Sequence, residues 1–247
     1  MAAARGLVAI FAHPDDETFA TGGTLARYAS QGVRSSLYCA TDGDAGRSSG
    51  IPVSSRAELG MLRRAELSMA CQVLGVRTLE LGGHPDGSLP SVDPDVVLNE
   101  IVGLLRRERP EVVLTFGPEG APTRHRDHRA ISRLATAAFL LAGSVTEFPE
   151  QIHAGLAPHG AARLCYVTWP PPRDGAEFVT EGQPVQVRVP VRGWHDRKLA
   201  AFDAHRSQHD HRARFEQLAL VDTEDYFVAM GHPAPPGASD LFAGLTD

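Results

Sequence analysis

Short apolar runs alternate with longer stretches of helical periodicity along most of the chain. The first run, GLVAIFA at residues 6–12, is continuous and partly β-branched, the pattern of a strand buried on both faces. The stretch that follows, HPDDETFATGGTLARYASQG, spaces its apolar residues as a helix does. A second strand in VRSSLYCATDGDAG ends in a loop rich in Gly and Asp. SSRAELGMLRRAELSMACQVLGV predicts a long helix closing at Gly75, RTLELGG the next strand, and HPDGSLPS a polar loop. DPDVVLNEIVGLLRRERP starts acidic, has Pro94 in its first turn and ends basic, which suits a helix dipole. EVVLTFG reads as a strand, HRDHRAISRLATAAFLLAG as a helix and LCYVTWP as another strand. QPVQVRVPV alternates like an edge strand with one wetter face. A last helix is predicted from about Trp194 to Leu220, and GHPAPPGASDLFAGLTD is too rich in Pro and Gly to be more than loop or tail.

Alternating strands and helices with short loops predict an α/β fold, a Rossmann-like doubly wound sheet that is mostly parallel. The 247 residues suit a single domain, taken as residues 1–220, with a small C-terminal extension at 221–247 packed on or near it. In such sheets ligands gather outside the carboxyl ends of the strands. The unusual loops fall there: HPDDE after the first strand, TDGDAG after the second, GGHPDG after the third and PEGAPTRHRDH after the fourth. A dinucleotide-binding protein needs a G-x-G-x-x-G turn after its first strand so that a pyrophosphate can approach, whereas this chain places acids that would repel one. A dehydrogenase is therefore disfavoured.

The formal net charge of −6 argues against nucleic acid or an anionic membrane as partner. Cys39, Cys71 and Cys165 are odd in number, far apart and set in apolar surroundings, so they read as reduced core thiols and point to the cytoplasm. The N-terminal apolar run is shorter than a signal peptide requires, and no stretch is long enough to span a membrane. A homo-oligomer is compatible with everything in the composition.

Three adjacent carboxylates in HPDDE repel one another and cannot fill a core. One reading makes them a helix start, with Pro14 in the first turn and Asp15, Asp16 and Glu17 at the positive end of the dipole. The other notes that His13 and Asp16, three residues apart, face one direction while Asp15 points elsewhere. His125 and His128 in HRDH repeat the spacing after another strand, with Arg126, Asp127 and Arg129 as solvated charges. Taken together, the two stretches supply the His and carboxylate ligands that a catalytic Zn²⁺ or Fe²⁺ requires.

AHPDDETFATGGTLA, TDGDAG, RRAELSMACQVLGV and HRDHRAIS resemble the LmbE-like, or PIG-L, zinc-dependent N-deacetylases of N-acetylglucosaminyl conjugates, a family that includes the deacetylases of bacillithiol and mycothiol biosynthesis. The resemblance spans most of residues 6–135, and AFDAHRSQ near the end is similar to a further family segment. It implies His13, Asp16 and His128 as ligands of Zn²⁺ or another divalent transition metal such as Fe²⁺. It also implies Asp15 as general base and His125 as partner of the substrate carbonyl, acting as an imidazolium on the developing oxyanion. One departure concerns the pocket wall: Arg124 and Arg126 stand where the family commonly has Gly and Pro.

Arg47, Arg63 and Asp86 are candidates for binding hydroxyls or an anionic aglycone, each with a surface or helix-pairing alternative. His205 resembles a family position near the pocket, whereas His209 and His211 need be no more than residues of a charged helix. Arg47, Arg63, Arg124 and Arg126 near the same loops suggest a sugar carrying a negative group. The function these residues imply is metal-dependent removal of the N-acetyl group from a small N-acetylglucosamine conjugate by activated water. The alternatives are an amidase acting on a larger acyl group and a non-catalytic metal- or sugar-binding protein on the same fold.

Overall fold

A computed structural model describes residues 5–169 and 181–245 of the chain. Its sheet has seven strands in the order β3-β2-β1-β4-β5-β7-β6, formed by β1 (Gly6–Phe11), β2 (Arg34–Thr41), β3 (Thr78–His84), β4 (Val112–Phe116), β5 (Arg163–Thr168), β6 (Val187–Pro190) and β7 (Thr223–Gly231). The first five are parallel, and β7 pairs antiparallel with both β5 and β6. Every residue of β1 and β4 is buried, which is why their sequences are continuous apolar runs with no alternation.

The helices are α1 (Asp16–Ser30), α2 (Arg56–Leu74), α3 (Pro94–Glu108), α4 (Arg126–Leu141), the short α5 (Pro149–His153), α6 (His195–Ala204) and α7 (Arg212–Ala219). α1, α2 and α6 pack on one another, and α3 packs on α4. Right-handed crossovers explain the division: the chain runs outward from β1 to β3, then returns to β4 and continues the other way, so its helices fall on opposite faces. The direction reverses between β1 and β4. Local signals set the helix ends as the sequence predicts: Ser55 caps α2 by accepting Glu58 N–H at 3.1 Å, and Gly75 closes it at φ 80°.

The C-terminal quarter differs from the prediction in two ways. The long helix expected from Trp194 to Leu220 is broken into α6 and α7 by a 3₁₀ stretch, Arg206–His211. Glu66 on α2 causes the break from outside, accepting both the N–H and the O–H of Ser207 at 2.8 and 2.6 Å. Residues 221–247, expected as an extension, include the nine residues of β7, a strand inserted between β5 and β6. One of its inward side chains is Glu224, which accepts Gly23 N–H, Thr24 N–H and Lys198 Nζ at 2.9, 2.8 and 2.6 Å. The Tyr226 hydroxyl adds a fourth donor at 3.4 Å, and a buried carboxylate so supplied is tolerated where alternation rules would demand an apolar residue. Past β7 the chain is tied to the domain by Arg163, whose guanidinium donates to the carbonyls of His232, Pro233, Leu241 and Ala243.

Cys39, Cys71 and Cys165 are buried free thiols. Among the described residues no helix is long and apolar enough to cross a membrane.

Candidate active site

β1 delivers His13, Pro14 and Asp15 to the carboxyl edge of the sheet beside the switch point. Asp15 is the N-cap of α1 in a left-handed conformation, φ 100°, rare for a residue with a side chain. The first helical residue is Asp16, so Pro14 lies outside the helix. Glu17 holds the bend: it is 1% exposed, and its Oε2 accepts the Asp15 N–H at 3.0 Å. Its other oxygen meets Thr18 Oγ1 at 2.5 Å and His205 Nε2 at 2.8 Å.

The bend brings Asp15 and Asp16 to different partners. Asp16 is buried, its Oδ2 lying 3.3 Å from His13 Nδ1 and its Oδ1 3.3 Å from His128 Nε2. His128 is fixed by stacking on Phe116, with ring centroids 4.0 Å apart. Each of these two contacts matches the roughly 3.3–3.4 Å that separates two ligands on a tetrahedral zinc with bonds of about 2.0–2.1 Å, and imidazole and carboxylate are donors that such an ion accepts. His13, His125 and His128 also bring ring nitrogens within 4.8 Å of one another, as do donor atoms of His13, Asp86 and Asp127. His125, however, spends Nδ1 as the helix cap, accepting Asp127 N–H at 3.2 Å.

Asp15 is half-buried, its carboxylate 3.3 Å from Arg63 Nη2. Burial pushes its pKa up, Arg63 pulls it back and the neighbouring Asp16 raises it, leaving it at about 6. Arg63 is itself buried, donating to Gly43 O at 2.8 Å and Pro14 O at 2.5 Å. Gly43, at φ 63°, leaves room for that guanidinium, which a Cβ there would strike. This is the role of the Gly-rich loop after β2: it seats Arg63 from behind. The pKa of His125 is held below 6.5 by burial and by His13 and His128. With Nδ1 accepting the Asp127 N–H, Nε2 is the nitrogen left to carry a proton.

These side chains line a pocket of about 330 Å³. His13, Asp15, Asp16, His125 and His128 border it together, which brings the two sequence motifs into one site.

A search of protein families matches residues 8–139 to the one described as PIG-L, GlcNAc-PI de-N-acetylase. The chain belongs to the PIG-L family. A relative from Rhodococcus erythropolis named 1D-myo-inositol 2-acetamido-2-deoxy-alpha-D-glucopyranoside deacetylase is 30% identical over 99% of this chain and 99% of its own length. A Bacillus cereus protein named probable N-acetyl-alpha-D-glucosaminyl L-malate deacetylase 2 is 31% identical over 83% of this chain and 84% of its own. Among solved structures, the N,N'-diacetylchitobiose deacetylase of Pyrococcus horikoshii superposes with a TM-score of 0.75 at 22% identity, covering 98% of this chain and 88% of that one, and so shares the fold.

In this PIG-L protein the other predicted residues divide. Arg63 and Asp86 border the pocket, Asp86 with its Oδ1 3.1 Å from His13 Nε2. His205 is fully buried outside the lining, its side chain meeting Glu17 and its carbonyl accepting the N–H of the pocket-lining Gln208 at 2.8 Å. Arg47 is exposed and outside the lining, although its carbonyl accepts Gln208 Nε2 at 2.9 Å. Arg126 donates to Gly87 O, and neither it nor Arg124 borders the pocket. Asp127, expected as a solvated charge, is completely buried and accepts Gly87 N–H at 2.7 Å with His13 Nε2 3.4 Å away. Sequence reasoning missed the walls formed by Phe19, Phe116 and Trp169, and the rim formed by Gln208, His211 and Arg214. Only the segment AFDAHRSQ gave a signal for the rim.

Proposed function

We propose that this protein is a metal-dependent hydrolase that removes the N-acetyl group from a small N-acetylglucosamine conjugate. His13, Asp16 and His128 would hold the ion, Zn²⁺ in the first instance, with Fe²⁺ or another divalent transition metal as substitutes. The observation that carries the reading is Asp16 set 3.3 Å from both His13 and His128, with Asp15 and His125 bordering the same pocket. Such an ion, when bound, polarises a carbonyl and lowers the pKa of water from 15.7 to about 7.

The chain's own residues supply the rest. Asp15, ionised above about 6, accepts the proton that the attacking water loses as its oxygen bonds to the acetamide carbon. The Nε2–H of His125 donates to the carbonyl oxygen as negative charge develops there. The C–N bond then breaks, acetate leaves, and the proton taken by Asp15 is available to the departing amine. Arg63 and Glu17 keep the Asp15 carboxylate in place through its side chain and its backbone respectively. The buried free thiols support a reducing compartment such as the cytoplasm.

The test is incubation of zinc-loaded protein with N-acetylglucosaminyl malate, N-acetylglucosaminyl inositol and chitooligosaccharides, assaying primary amine and acetate. The proposal expects the two products in equal amounts from at least one substrate. Amine released only from longer N-acyl analogues would make the protein an amidase, and no amine from any substrate would make it a binding protein.

A further inference from the structure

The electrostatics of the pocket are balanced at its floor and unbalanced at its rim. At the floor every charged side chain has a partner: Asp16 lies between His13 and His128, Asp86 against His13, and Asp15 against Arg63. Arg63 also has two backbone carbonyls. The rim is made by the segment after α6, which brings Gln208 and His211, and by the first turn of α7, which brings Arg214. Arg214 is half-buried, borders the pocket, and has neither a hydrogen bond nor an ion pair among the described residues. Its neighbour Arg212, by contrast, is engaged with Asp203 and Glu216.

His211 reports the local potential. Burial, then the positive charges of Arg214 and Arg47, hold its imidazole below its ordinary value, with Arg63 adding to the effect and Asp210 opposing it. Arg47 thus contributes charge to the rim without bordering the pocket. Gln208 is fixed there, its amide donating to Arg47 O at 2.9 Å and to Ser207 Oγ at 3.0 Å. In a chain of net charge −6, this pocket wall thus holds a guanidinium with no partner among the described residues, and a carboxylate or phosphate is the group that pairs with it most strongly.

We infer that Arg214, with His211 beside it, forms a subsite for an anionic group, a carboxylate or a phosphate, on the part of the substrate remote from the N-acetyl group. The inference rests on the proposed deacetylase reading and adds the substrate class to it. A guanidinium offers paired N–H donors that match a carboxylate or phosphate edge, and the ring of His211, which borders the same pocket, can add one more donor. This places the charge selection on Arg214 rather than on Arg63, Arg124 or Arg126.

The experiment measures kcat/KM for N-acetylglucosaminyl malate, N-acetylglucosamine 1-phosphate and N-acetylglucosaminyl inositol in the zinc-loaded wild type and the Arg214→Gln and Arg214→Glu variants. Arg192→Gln serves as a control, since Arg192 is exposed and outside the pocket. At least one anionic substrate should be preferred over the inositol glycoside by roughly tenfold or more, and its identity distinguishes carboxylate from phosphate. Arg214→Gln should lower that ratio about tenfold, the value of one charge-assisted pair of about 1.5 kcal/mol. Arg214→Glu should invert the ratio, and Arg192→Gln should leave it unchanged. Equal kcat/KM for charged and neutral substrates in the wild type, or a ratio indifferent to both Arg214 variants, overturns the subsite while leaving the deacetylase reading intact. No amine from any of the three substrates overturns the deacetylase reading itself.

Discussion

Glu17 is the residue on which the shape of the HPDDE turn depends, and Glu17→Gln isolates its role. The carboxylate accepts from three donors: the Asp15 N–H, the Thr18 hydroxyl and His205 Nε2. A glutamine of the same size has one acceptor oxygen and an NH₂. If the oxygen stays with Thr18 and His205, the NH₂ faces the Asp15 N–H, donor against donor. If it turns to Asp15, the NH₂ faces His205 Nε2 and that buried ring loses its acceptor. Either arrangement leaves one buried polar group unsatisfied, at about 1–3 kcal/mol. The left-handed bend at Asp15, φ 100°, costs a comparable 1–3 kcal/mol, roughly, so loss of its support allows the base to swing away. Were all of that felt at the transition state, kcat would fall roughly 5- to 150-fold, at 1.36 kcal/mol per factor of ten. The assay is amine release at saturating substrate, with zinc content and the urea midpoint measured on the same preparation. An unchanged kcat in a variant whose midpoint falls would refute the reasoning, because Glu17 would then support the fold without orienting the base.

Two further predictions concern stability. Arg163 is completely buried and donates to four carbonyls of the C-terminal segment, so Arg163→Met should cost at least about 3 kcal/mol of unfolding free energy by urea titration; a loss under 1 kcal/mol, roughly, would show that the segment is held by other contacts. His205 is pushed down by burial but raised further by Glu17, so its folded-state pKa lies above the ordinary 6.5. Its contribution is therefore complete below about pH 6.5 and is lost as pH rises through the folded value. Wild-type stability should accordingly decline above that pH, and the decline should be missing from His205→Gln; parallel pH profiles for the two proteins would contradict it.

The strands β1 to β5 were legible because each is a short apolar run closed by turn residues, and parallel strands buried on both faces have no other pattern to show. β7 was hidden because one inward position is Glu224, whose burial depends on donors from α1 and α6 that no local window contains. The break between α6 and α7 is hidden for the same reason: it is imposed by Glu66, some 141 positions away from Ser207. In the site, the i, i+3 spacings of His13 with Asp16 and His125 with His128 put four residues into one pocket. Asp127 could not be separated from the solvated charges beside it, because its partners, Gly87 and His13, come from other strands' loops. The arginines divide: Arg63 borders the pocket, whereas Arg47, Arg124 and Arg126 do not. Charge near a loop in sequence says little about which guanidiniums a fold consumes internally, as Arg63 and Arg126 are consumed, and which it leaves on a pocket wall, as Arg214 is left.

Asp15 and Asp16 are adjacent, chemically identical and assigned to different tasks, so the account stands or falls on telling them apart. The direct measurement compares Asp15→Asn with Asp16→Asn for zinc content and for turnover on an N-acetylated substrate. Asp15→Asn should retain about one zinc per chain, because its carboxylate faces Arg63 and not the imidazoles of His13 and His128. Its kcat should fall roughly 10²–10⁴-fold, the usual contribution of a general base. Asp16→Asn should lose zinc affinity and rate together. Full turnover in a zinc-loaded Asp15→Asn would contradict the assignment of the base, and loss of its zinc would make Asp15 the ligand and exchange the two roles.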